Sequence, residues 1–175
     1  MKINEKGSHL DHLLRQTRVH HVQLSSMADV KANMMLTLAS LVITFSIRYL
    51  TDPILRWPVF ALVFFCLITI FAAAYAVMPK GGRQEPLDPK RPNGDILFFG
   101  NFVTLTYDEF VSAMEIVMAE PGQVYEAQVR EIYELGLFLA TKKYRYIRIA
   151  YAMFILGLIV SGIVFLIVEL TMVVQ

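Results

Sequence analysis

The sequence predicts an all-α membrane protein. Three transmembrane helices are expected, the first and third continuing into a cytoplasmic helical stalk with a short extra amphipathic helix. Three observations carry that expectation. Hydrophobic residues make up 56% of the 175 residues and charged residues only 18%, a balance unlike that of ordinary soluble domains. Three long stretches are almost free of charge. Helical periodicity runs into the first and the third of them without a break.

The N-terminal segment, 1–31, reads as a cytoplasmic helix. Leu10, Leu14, Thr17, His21, Leu24 and Ala28 step by four and three, a narrow seam of heptad type. No proline or glycine interrupts 8–50, so one helix of roughly 40 residues, about 60 Å long, enters the bilayer. The transmembrane hairpin, 32–78, holds spans 32–50 and 57–78. The uncharged core of the first span, 32–47, rises only about 24 Å against a hydrocarbon layer of about 30 Å. Lys31 and Arg48 at its ends must therefore snorkel. In the second span Trp57 suits the interface, Pro58 a first helical turn, and Pro79 ends the helix.

Segment 79–146 is the cytoplasmic loop and helical segment. Its first part is rich in proline and glycine, from Pro79 to Gly100, and reads as a loop. Thr106 and Glu109 form a capping box, with Leu105 and Phe110 as a hydrophobic staple. The helix that follows buries Phe110, Met114, Val117 and Met118 and ends at Glu120-Pro121-Gly122. A last helix carries Tyr125, Val129, Ile132, Gly136, Leu139, Lys143 and Tyr146 on one face. It runs on into the third transmembrane helix, 147–175, whose C-terminus faces outward.

Lysine and arginine set the orientation. Lys2, Lys6, Arg15, Arg18 and Lys31 precede the first span, and nine more lie between the second and third. Only Arg48 and Arg56 flank the turn TDPILRWP. The positive-inside rule places the N-terminus and 79–146 in the cytoplasm. The polar residues that precede the first apolar run argue against a cleaved signal peptide, so the first span acts as its own anchor. A net charge of +1 supplies no field for nucleic acid. The single cysteine, Cys66, excludes an intrachain disulfide. His9 with His12, and His20 with His21, lack any carboxylate or cysteine pattern that completes a metal site. No nucleophile sits beside a base, so the chain does not read as an enzyme.

One feature of the first span asks for a function. On a helical wheel with Asp29 at zero, Asn33 falls near about 40°, Thr37 about 80°, Ser40 about 20°, Thr44 about 60° and Arg48 about 100°. These groups form one polar stripe, which hydrocarbon tolerates poorly. Two readings stand. The stripe is interhelical glue, its hydroxyls bonding neighbouring helices or their own preceding turn, or several copies bring it round a common axis as a pore lining.

Three motifs resemble the Pycsar transmembrane effector family: ADVKAN at 28–33, ILFFGNFVTLTYDEF at 96–110 and QVREIYELGLFLATKKYRYIRIAY at 128–151. The match covers nearly the whole chain in the family's order. The family's FFGH-like motif reads FFGN here, with Asn101 in the last place. The resemblance implies a multi-pass bacterial inner-membrane effector of antiphage defence, with no cofactor. A partner cyclase makes a cyclic pyrimidine nucleotide, cyclic CMP or cyclic UMP. The effector responds as a homo-oligomeric pore or disruptor of the lipid bilayer, and the cell dies in abortive infection. Nucleotide-binding candidates are then Phe99, Asn101, Phe102, Tyr107 and Tyr133 as walls and Arg130, Lys143 and Arg145 as cations. Plainer readings exist for each. Lys142, Lys143 and Arg145 suit membrane-edge anchors, Arg130 sits in an ion-pair row with Glu126 and Glu134, and the phenylalanines suit packing. The alternative function is a non-conducting membrane scaffold that docks a cytosolic signalling enzyme.

Overall fold

The computed structural model describes residues 7–78, 96–97, 102–103 and 105–173. All regular structure among them is helical. Helix α1 spans Ser8–Ser46 and ends in a 3-10 turn, Ile47–Thr51. Helix α2 spans Arg56–Val77, α3 Tyr107–Met118 and α4 Pro121–Phe138. A π-helical turn, Leu139–Tyr144, joins α4 to α5, Arg145–Val173. Three of these stretches are long and apolar enough to cross a membrane: Ser8–Thr51, Arg56–Val77 and Pro121–Val173. The described residues fall into two compact units, one within Met1–Leu24 and Pro79–Leu139, the other within Ser25–Met78 and Ala140–Gln175.

In the first unit, α3 starts as its sequence directs. The Thr106 side chain accepts from the Glu109 backbone N–H, and the Glu109 carboxylate accepts from the Thr106 N–H at 2.8 Å. The Thr106 N–H and the Thr106 hydroxyl, which donates to the same carboxylate at 2.9 Å, hold the Glu109 carboxyl below its ordinary pKa, because both bonds favour the ionised form. Pro121 opens α4 at a position that needs no N–H. A small apolar cluster of Ile96, Ala113 and Val117 gathers Leu105, Phe110, Met114 and Ala127 around it. Two sequence expectations are corrected here. Met118 and Val129 are exposed; in α4 Tyr125 is buried where the stepping places it, and Glu131, off the seam, is buried as well. The four-and-three stepping thus marks Tyr125 and Ile132 but not the exposure of Val129 or the burial of Glu131.

The second unit has a core of small side chains. Ala28, Ala32 and Met35 of α1 pack with Ala72, Ala73 and Ala76 of α2 and with Ile147 and Ala150 of α5. Small side chains let helix backbones approach closely, which is how helices associate where the surroundings are as apolar as their own side chains. Gly157 of α5 marks a close approach to α2, since a Cβ there would lie 2.5 Å from the Cβ of Phe65. Four residues on, Ser161 Oγ donates to the Pro58 carbonyl at 3.0 Å. Thr69, fully buried, donates to the Phe65 carbonyl at 3.0 Å. Between the first two spans, Asp52 accepts from the backbone of Ile54 and Leu55 at 2.8 and 3.1 Å, which fixes the turn. Arg56 lies over the Trp57 ring at 5.1 Å.

The π-helical turn interrupts what periodicity reads as one α-helix. It holds Lys142 and Lys143; beyond it Ile147 is buried in the core and Tyr146 packs half-buried against it.

Candidate functional site

Helix α1 presents three different sectors within its apolar part. Ala28, Ala32, Met35 and Ala39 are buried. Met34, Leu38, Leu41 and Phe45 are exposed and apolar, between about 120° and about 180° on the wheel. Asn33, Thr37, Ser40 and Thr44 are exposed and polar. Their sector lies roughly 140° from the centre of the alanine face. Thr37 and Thr44 donate to their own preceding turns, to the carbonyls of Asn33 at 3.0 Å and Ser40 at 2.9 Å. That local bond satisfies the hydroxyl but leaves the polar surface outward.

The two ends of the predicted stripe behave differently. Arg48 lies in the 3-10 turn beyond α1, so its position on an ideal wheel does not hold. Its guanidinium bonds the Tyr49 hydroxyl at 2.6 Å and sits 4.7 Å from the Tyr49 ring centre. Asp29 is turned toward α5's leading turn. Lys143 donates to both Asp29 oxygens, at 2.6 and 2.7 Å, and to Ser25 Oγ at 2.8 Å. All three ammonium hydrogens thus have acceptors, and the Lys143 side chain is only 13% exposed. Lys143 lies in the π-helical turn that precedes α5.

The first unit contains a cleft of about 480 Å³ lined by residues of α1 and α4 together with Leu97. Arg18 pairs with the Glu131 carboxylate at 2.9 Å, and the Glu131 side chain is 9% exposed. The other Glu131 oxygen is buried with no partner among the described residues. At the same cleft Tyr125 donates to Asp11 at 2.6 Å. The bond to that carboxylate favours the neutral phenol and raises the Tyr125 pKa. His21 Nδ1 is also buried with no partner among the described residues, and its ring abuts Gly136.

The nucleotide candidates chosen from sequence are not gathered at this cleft. Phe99 and Asn101 lie outside the described residues. Phe102 packs on Phe110, ring centres 4.9 Å apart. Tyr107 and Tyr133 are exposed, and Arg130 faces Glu126 at 3.9 Å. Lys143 and Arg145 belong to the other unit. Sequence reasoning missed Asp11, Arg18 and Glu131. The only local signal is that Asp11, Arg15 and Arg18 step by four and three beside the seam. Nothing near Glu131 distinguishes it from Glu126 or Glu134.

These features define a class: an all-helical protein with three helices long and apolar enough to cross a membrane. The model of the Pycsar effector protein domain matches residues 12–168. The chain belongs to this family. It is a membrane-embedded effector of a cyclic-nucleotide-based antiphage defence system. No curated protein and no solved structure matches the chain.

Proposed function

We propose that this effector is activated by a cyclic pyrimidine nucleotide made by a partner cyclase, and that it impairs the bacterial inner membrane as a homo-oligomer. The N-terminus and the first unit face the cytoplasm, where the ligand is made. The observation that carries the reading is the exposure of Asn33, Thr37, Ser40 and Thr44 on the outside of α1, away from its buried alanine face. A polar face on a membrane span needs protein or water against it. A single chain supplies neither, whereas several copies arranged about an axis supply both. Asp29 and Lys143 then sit at the cytoplasmic end of the stripe.

Proteoliposomes loaded with a self-quenched dye test this directly. Cyclic CMP or cyclic UMP is expected to trigger release from vesicles containing the protein. The triple variant Thr37→Leu, Ser40→Ala, Thr44→Val is expected to bind ligand and release little. Release that ignores both ligands and the triple variant contradicts a gated polar lumen. Ligand binding with no release at any protein density favours a non-conducting scaffold.

A further inference from the structure

The buried carboxylate of Glu131 faces a problem of its own. Among the described residues only one of its oxygens is bonded, to Arg18, whose side chain is 55% exposed. The second oxygen is buried and unpartnered among the described residues, an arrangement that is costly unless a donor completes it. Around it the cleft presents Leu14, Ile132 and Leu97 as apolar walls and Gln128 as an amide able to donate and accept. Arg15 and Arg18, one turn apart on α1, line the same cleft, and guanidinium groups suit a phosphodiester. A volume of about 480 Å³ lies within the range of small-ligand sites.

We propose that this cleft is the ligand site and that Glu131 selects a cytosine base over uracil. This rests on the reading that a cyclic pyrimidine nucleotide activates the chain. The phosphate draws Arg18 away from Glu131 and takes Arg15 as a second partner. The freed carboxylate accepts from the exocyclic amino group of cytosine, the acceptor that this amine requires. Gln128 donates to the neighbouring acceptor edge of the base. Uracil carries a carbonyl oxygen at the position of that amine, and a carboxylate opposite it is repulsive. Negative charge on the ligand and the hydrogen-bond donor on its base thus exchange places with the Arg18–Glu131 pair. The buried carboxylate is never left unpaired.

Calorimetric titration of the full chain in lipid nanodiscs tests the proposal with cyclic CMP, cyclic UMP and cyclic AMP. Cyclic CMP is expected to bind at least about tenfold more tightly than cyclic UMP, the discrimination of one good base contact. Glu131→Gln presents an amide N–H to the uracil carbonyl, and it is expected to erase or invert that ratio. Arg15→Gln, at an exposed position, is expected to weaken both pyrimidine nucleotides by about tenfold without altering their ratio. Binding of both pyrimidine nucleotides with a ratio unmoved by Glu131→Gln, or with affinity unmoved by Arg15→Gln, overturns the site while leaving the activating ligand class intact. Equal affinity for cyclic AMP also overturns it. Binding of none of the three overturns the ligand class itself.

Discussion

Replacing Gly157 by alanine tests the packing that holds the second unit together. The new Cβ would lie 2.5 Å from the Cβ of Phe65, whereas carbon atoms sit at about 3.5–4.0 Å in contact. Both atoms are fixed to their backbones, so no rotamer change separates them. The backbones of α2 and α5 must move apart by about 1 Å or more. Overpacking of this kind costs about 1–3 kcal/mol. Gly162 provides the control within the same helix, because a Cβ there meets nothing within 4 Å. Both substitutions share the gain of about 1 kcal/mol that alanine has over glycine in a helix, so that gain cancels between them. The difference in stability between Gly157→Ala and Gly162→Ala is therefore the clash alone, about 1–3 kcal/mol. Reversible unfolding in mixed micelles, titrated with a denaturing detergent, reads it. Two variants equal in stability within about 0.5 kcal/mol refute the close approach of α2 to α5.

Two further outcomes follow from the polar contacts. Asp29→Asn and Lys143→Met each break a pair in which the ammonium is largely buried, and a double-mutant cycle is expected to give about 1–3 kcal/mol of coupling, reduced because Asp29 is 41% exposed. Independent effects contradict the pairing. The raised pKa of Tyr125 means that the fold favours its neutral phenol. The associated stability is present below the ordinary tyrosine pKa and is lost as pH rises through the raised one. Asp11→Asn is expected to shift Tyr125 ionisation to lower pH, read as the tyrosinate absorbance that Tyr125→Phe removes.

The fold was legible in the sequence wherever one physical signal acts alone. Uninterrupted apolar length gave the three spans, and the capping residues Thr106 and Glu109 gave the start of α3. The seam from Leu10 to Ala28 marked the less exposed face of α1, because burial there follows the heptad step. The site was less legible. Glu131 is buried because residues far away in sequence cover it, and no local pattern records that. The π-helical turn at Leu139–Tyr144 follows no breaker, so the spacing does not announce it. The polar stripe was visible on an ideal wheel only as far as the α-helical winding lasts, which excludes Arg48. Spacing also could not say that Asn33 and Ser40 lie outside the chain's own helix contacts, because that depends on which face the alanines take.

Cysteine crosslinking in native membranes tests most directly whether the polar sector of α1 meets sister chains. Single cysteines at Ser40 and Thr44, and at Leu38 on the apolar sector, are introduced in a background where Cys66 is replaced by alanine. Oxidation is expected to yield covalent dimers for Ser40→Cys and Thr44→Cys and little for Leu38→Cys. Dimers that form at Leu38 but not at Ser40 or Thr44 contradict the account.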